Sequence, residues 1–320
     1  MKIALIQETD KHTEIFGGLF QLLGSPKNKI DVYYKDYKSS FIKVYKKIIL
    51  NQNPTWKITL HPDSFPEENN NYDLFIYTTG YEYEGNTPNT MTSLIIHIAS
   101  DYKEMKQMIP RHIIALTPLI KQVPYFLNIF KAPIVRKKDK CTLHLFVSGL
   151  TNPVNKDLKG LYNLLENIYK HNYNNKIIVH LVNYYTLEKK YDKFIASGIL
   201  DVHIDMMADK MLKLLSQSHF VLTMAQKNSS YHTRQLTGII PLAISYGVPF
   251  ITDKKLAKIY NVVDKSVVYT FHDKANSISR GVDKAIQIFN TDEYKTLQNK
   301  LIYFRDQTII EQRKNNVFNK

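Results

Sequence analysis

Short apolar runs alternate with segments of helical period along the whole chain. Runs at residues 2–6, 30–34, 56–60, 73–77, 93–98 and 112–116 predict strands, and their near-continuous apolar content predicts burial on both faces. Among them, residues 14–23, 41–50 and 102–108 carry the spacing of helices. The alternation stops at residues 131–140, a charged stretch with one proline that reads as a linker. It then restarts, with strands predicted at 143–147, 177–182, 201–204, 218–223 and 267–271, and helices at 158–169, 187–196, 208–217, 254–260, 276–289 and 292–315. Strand and helix in alternation predict an α/β fold with parallel sheets. Two such runs predict two domains, residues 1–135 and 136–290, with a cleft between them where ligands are favoured.

One unit carries most of the chemistry. The strand 218–223 is followed by a polar loop, then by Thr237-Gly238, which opens a helix with Pro241 in its first turn and Gly247 as its stop. A second buried strand begins at Val248-Pro249. This order sets a helix N-terminus at the mouth of a parallel sheet, where unpaired N–H groups and the helix dipole favour an anion such as a nucleotide diphosphate. The loop supplies Gln226, Ser229, Ser230, Tyr231, His232 and Arg234. Its serines can bond phosphate or sugar oxygens, Arg234 can grip a phosphate bidentately, and Tyr231 can stack on a base or sugar.

Weaker candidates lie elsewhere. Ser148-Gly149 ends a strand and Lys159 follows at a helix start, which suits either backbone approach to a phosphate or an ordinary tight turn. Gly17-Gly18 follows a polar loop containing His12 and suits either ligand approach or close helix packing. His97 in an apolar strand, with Asp101 after it, is either a bonded core histidine or an acid, base or hydroxyl orienter. His12, His61 and His203 have no metal-site spacing, and Cys141 is the sole cysteine, so no metal is expected.

Composition narrows the classes. A chain of 320 residues with 44% hydrophobic content has ample core for two domains. It has no run of about 18 apolar residues, and the stretch from Met1 to Glu8 is too short and too soon acidic for a signal peptide, so a cytoplasmic protein is expected. The net charge of +14 suits anionic partners, and it allows peripheral membrane contact through the basic surface, but its lysines are spread as on a solvated face. No helix-turn-helix, zinc or RNA-binding signature supports specific nucleic-acid binding. The phosphate loop of NTPases, the dinucleotide fingerprint and the serine-hydrolase elbow are all missing.

Taken together, these residues resemble GT-B glycosyltransferases, particularly those similar to glycosyltransferase family 4. Gly17-Gly18 resembles that family's N-terminal Gly-Gly loop, and Ser148-Gly149 with Lys159-Gly160 resembles its first strand and Lys-Gly helix start. Leu242-Ala243-Ile244-Ser245-Tyr246-Gly247-Val248-Pro249 resembles its Glu-Ala-Met-Ala-x-Gly-x-Pro segment. The resemblance implies two Rossmann-like domains facing across a cleft, with residues 291–320 forming a helix that crosses back to the N-terminal domain. It also implies sugar transfer from a nucleoside-diphosphate-sugar, as co-substrate, to a glycan, lipid-linked or protein acceptor, without metal or further cofactor. His97 and Asp101 would serve the acceptor. Ser148, Gly149, Lys159, the loop from Gln226 to Arg234, Thr237 and Gly238 would hold the donor, while Gly17, Gly18 and His12 would lie toward the acceptor. The family's two glutamates fall at Arg234 and Leu242, and the arginine after its first glycine falls at Leu150, so the ribose contact must differ here. A non-catalytic sugar-nucleotide or phosphate-binding relative is the alternative.

Overall fold

The computed structural model describes residues 1–7, 13–36, 41–66, 71–79, 91–96, 112–116, 119, 124–135, 141–149, 156–171, 176–233, 237–269, 277–316 and 318. The helix expected at 102–108 and the charged half of the expected linker lie outside them. The chain divides into two units: Met1–Ala132 with Arg234–Gly238 and Asp306–Lys320, and Pro133–Thr233 with Ile239–Arg305.

In unit 1, strands β1 (Lys2–Gln7), β2 (Lys29–Tyr34), β3 (Lys57–Pro62), β4 (Leu74–Tyr77), β5 (Thr92–Ile96) and β6 (His112–Ala115) form one sheet in the order β3-β2-β1-β4-β5-β6. Every pairing in it is parallel. The central strand is buried on both faces, with Ile3 to Ile6 fully inaccessible. The outer strand β3 departs from the expected double burial: Lys57 and Thr59 are exposed while Ile58 is buried, because an edge strand needs only one covered face.

Helix α1 (Phe16–Leu23) begins after a 3-10 turn at Thr13–Ile15, two residues later than the pattern predicts, and all eight of its residues are buried. Gly17 and Gly18 lie in its first turn. A Cβ on Gly17 would stand 2.5 Å from the Phe130 ring, and one on Gly18 would stand 2.8 Å from the Asn128 Cα. Gly18 N–H donates to Asn128 Oδ1 at 2.9 Å, and Asn128 Nδ2 donates to the Glu14 carbonyl at 2.9 Å. Of the two expectations for this glycine pair the contacts match close packing: the space beside both Cα atoms is filled by the segment around Asn128 and Phe130. Gly18→Ala should cost about 1–3 kcal/mol, since backbone rather than a flexible side chain would have to move. Denaturant unfolding of the variant measures it. Unit 1 also holds Arg313, which donates to the Gly24 carbonyl at 2.8 Å and stacks 5.1 Å over Trp56, with helix α2 (Ile42–Gln52) burying Tyr45 and Ile49.

Unit 2 repeats the plan. Strands β7 (Leu143–Ser148), β8 (Ile177–Asn183), β9 (Leu200–Ile204), β10 (Phe220–Leu222), β11 (Phe250–Asp253) and β12 (Ser266–Tyr269) form a parallel sheet in the order β12-β11-β10-β7-β8-β9. Numbered within the unit, this is the doubly wound order also present in unit 1. Helix α3 (Leu158–Lys170) buries Leu161, Leu164, Leu165 and Ile168, the helical spacing that made it legible, and Asp157 caps it by accepting from Gly160 N–H at 2.7 Å. Helices α4 (Asp192–Ala196), α5 (Ala208–Gln217), α6 (Ile239–Tyr246), α7 (Lys254–Ile259), α8 (Ser277–Ile288) and α9 (Asp292–Lys314), whose residues from Asp306 onward belong to unit 1, complete the order. α6 is apolar all round and all eight of its residues are buried. Arg305, 2% exposed, donates to the Ser245 carbonyl at its end at 2.9 Å. No described helix is long and apolar enough to cross a membrane.

Candidate functional site

In a doubly wound sheet the order of strands reverses at one point, and the helices leaving the two strands there diverge, which opens a crevice beyond their carboxyl ends. In unit 2 that point lies between β7 and β10. β7 ends in Ser148, half-buried, and Gly149, whose φ of +70° is the left-handed conformation that glycine adopts without strain. A Cβ on Gly149 would meet no described atom within 4 Å.

Opposite it, the chain leaving β10 is pinned to the approach of α3. Lys156 and Ala225 form an isolated antiparallel bridge, Asp157 N–H donates to the Met224 carbonyl at 2.8 Å, and Gln226 Nε2 donates to the Lys156 carbonyl at 3.0 Å. Met224 takes a φ of +49°, an uncommon value for a side-chain-bearing residue, as the chain turns out of the strand. This pairing draws the Lys156 side chain inward, to 4% exposure. Its Nζ donates to the Thr223 carbonyl at 3.0 Å and stands 5.6 Å from the Tyr231 ring centre. No carboxylate pairs with it among the described residues, and burial pushes its pKa down to about 8. A buried ammonium with no counter-ion among the described residues, at the switch point, is a site prepared for an anion.

The sequence pattern points to Lys159, for its place before Gly160, and not to Lys156. Lys159 is exposed on the first turn of α3. Gly160 has a structural reason of its own, since a Cβ there would meet the Asp157 carboxylate and come within 2.8 Å of Ile278 Cδ1. The polar loop divides in a similar way. Tyr231 and Ser230 are half-buried, and burial raises the Tyr231 pKa, which keeps its hydroxyl protonated. Ser229 and His232 point inward, against the expectation of ligand contact. The Ser229 hydroxyl accepts from Tyr231 N–H at 3.2 Å, and His232 Nε2 bonds the Asp253 carboxylate at 3.0 and 3.1 Å with both residues buried. Asp253 Oδ1 also accepts from Lys255 and Leu256 N–H at 2.9 and 3.0 Å, so it caps α7 and holds the loop at once.

Thr237 is buried, and a Cβ on Gly238 would lie 3.3 Å from Glu14 Oε1, which sets a carboxylate beside a residue expected to serve an anion. Leu242 is buried in α6. His12, His97, Asp101 and Arg234 lie outside the described residues.

Unit 1 has its own switch point, between β1 and β4, and it is closed by side chains: Gln7 bonds both Thr78 and Thr79, all three buried. Beside it, over the ends of β1, β2 and β3, is a cavity of about 320 Å³ lined by Gln7, Tyr33, Tyr34, Lys35, Asp63 and Phe65. A larger hollow of about 530 Å³ in unit 2 is walled by helix faces, including Asn167, Arg280 and Asp283, instead of strand ends.

No protein-family model matches the chain, and no curated protein matches it in sequence. Solved structures do match it over essentially their full length. Anabaena Alr3699/HepE, in complex with UDP and glucose, is 11% identical with a TM-score of 0.60, covering 98% of each chain. TarM is 11% identical with a TM-score of 0.60, covering 100% of this chain and 99% of its own. An alpha-glucosyltransferase, in complex with UDP and a 13-mer DNA containing a central A:G mismatch, is 10% identical with a TM-score of 0.64, covering 100% of each chain. At such identities the likeness establishes the fold: the chain has the GT-B architecture of two Rossmann-like α/β units.

Proposed function

We propose that this protein is a glycosyltransferase that moves a sugar from a nucleoside-diphosphate-sugar to an acceptor hydroxyl. The observation that carries the reading is the buried Lys156 at the switch point of unit 2, which pairs with no carboxylate among the described residues. UDP is bound in two of the structures that share the fold, which supports a uridine diphosphate donor.

In this reaction the bond from the anomeric carbon to the diphosphate oxygen breaks, and one from that carbon to the acceptor oxygen forms as the hydroxyl loses its proton. Negative charge grows on the leaving diphosphate, and a fixed cation in a partly dehydrated site stabilises it there. Lys156, the Gly149 backbone and Ser148 are assigned to this task, with Tyr231 against the base or sugar. No metal is needed in this reading. His97 or Asp101 orients or deprotonates the acceptor. The resemblance to family 4 supports the domain division at residues 135 and 290.

Leu242 favours a second reading, a sugar-nucleotide-binding protein without turnover, because an apolar side chain stands where the resembling family has a glutamate. A thermal-shift screen with UDP, GDP, CDP and ADP and their sugars tests both. A ligand at about 100 times its Kd adds about 2.7 kcal/mol, a rise of several degrees in Tm. One nucleotide class should give that rise. No response to any of them would refute both readings, while a response without transfer or donor hydrolysis would favour the second.

A further inference from the structure

One face of the unit 2 sheet carries a row of imidazoles. The register sets His180 opposite Asp201 and Val182 opposite His203, while His144 lies opposite Ile178. With a side-chain period of two, His144, His180, Asp201 and His203 therefore project from the same face, across β7, β8 and the edge strand β9. Nothing local in the sequence announces this, since the three strands are brought together only by the fold.

The ring nitrogens converge. His180 Nδ1 lies 2.9 Å from Asp201 Oδ2, and His203 Nε2 lies 2.9 Å from that same oxygen. The His203 nitrogen is buried but out of hydrogen-bond alignment with the carboxylate, and it has no other partner among the described residues. On the far side of the His180 ring, Nε2 bonds His144 Nδ1 at 2.8 Å, with the two rings stacked 5.1 Å apart and 6° from parallel. One ligand atom from each of His180, Asp201 and His203 lies within 4.8 Å of the others.

We propose that His180, Asp201 and His203 form a site for one divalent transition metal of the zinc type, with His144 fixing the His180 ring. Two imidazole nitrogens and one carboxylate oxygen suit zinc-like ions, whereas calcium and magnesium take oxygen ligands and copper(I) favours sulfur. Bond lengths of about 2.0–2.2 Å need small outward shifts of the three ligand atoms. Asp201 can supply them because its side chain is 46% exposed. In the bound state His180 coordinates through Nδ1 and donates its Nε2–H to His144, the outer hydrogen bond that metal-bound histidines ordinarily make. The open side of the site admits the ion and leaves a position for water. The metal would clamp the edge strand β9 to β8, on the sheet face and apart from the donor site proposed at the ends of β7 and β10.

The full-length chain, free of any affinity tag and stripped with chelator, is titrated with Zn²⁺ and with Co²⁺ as the visible probe. One equivalent should bind, with cobalt ligand-field bands that zinc abolishes. His203→Ala and Asp201→Asn should weaken binding by more than the roughly 10–100-fold expected from loss of an outer partner, and His144→Phe should fall within that range. Both positions of the first two variants are partly exposed, and unchanged circular dichroism verifies that they fold. Zinc binding that these variants leave unaltered, several weak equivalents spread over the chain's 11 histidines, or no binding at micromolar free zinc would each overturn the proposal.

Discussion

Lys156→Met is expected to make the protein more stable and, at the same time, to weaken its hold on a nucleoside diphosphate. Burial lowers the lysine's pKa from 10.5 to about 8, so at neutral pH the folded chain keeps a proton on a group that would hold it more readily when unfolded. That difference corresponds to about 3 kcal/mol of lost stability. Methionine fills a similar volume without the charge. It gives up the bond to the Thr223 carbonyl, worth about 1 kcal/mol, which leaves a net gain of about 2 kcal/mol. The sign fixes the pH dependence. Between about pH 8 and 10.5 the unfolded chain binds the extra proton and the folded chain does not, so the wild type gains stability relative to the variant as pH rises through that window. Denaturant unfolding at pH 7 and pH 10 should show the advantage of the variant at the first and its disappearance at the second. Calorimetric titration with UDP should show affinity lower by about tenfold or more, the loss of one charged hydrogen bond. A variant that is stabilised but binds UDP as before would remove Lys156 from the donor site.

The two sheets were legible because their strands are short apolar runs bounded by turns and polar loops, and because α3 and α5 show an apolar stripe at helical spacing. Where the pattern misled, a partner distant in sequence decided the outcome. β3 looks like a buried strand from its residues, but its place at the sheet edge leaves Lys57 and Thr59 in water. Lys156 and Lys159 are alike in type and neighbourhood, and pairing with the chain at Met224–Gln226 accompanies the burial of the first. Gly17 and Gly18 owe their lack of side chains to Asn128 and Phe130, which no local motif connects to them. The same holds for His180 and His203, which share a face only through strand register. Chain order sets the candidate site beyond the strand ends. It does not set the residues, because burial and pairing sort polar side chains into ligand-facing and fold-holding groups after the chain has closed.

His232 is the sharpest case of that sorting, and His232→Ala should cost about 3 kcal/mol of stability while leaving UDP affinity nearly unchanged. Its Nε2 donates to a carboxylate that is 1% exposed, and truncating it leaves Asp253 facing a small cavity without the partner on that side. The two backbone N–H bonds at the start of α7 remain, which keeps the cost below that of a wholly orphaned buried charge. Asp253→Ser separates the two duties, since serine can still cap α7 but cannot reach His232 as the carboxylate does. It should lose most of the same stability, and adding His232→Ala to it should cost far less than His232→Ala alone, because the pair has already been broken. Denaturant unfolding of the two single variants and the double variant gives that coupling, and titration with UDP on the same proteins gives the affinity. Stability unmoved by His232→Ala, together with lost UDP binding, would return this histidine to the ligand-contact role that its loop suggests.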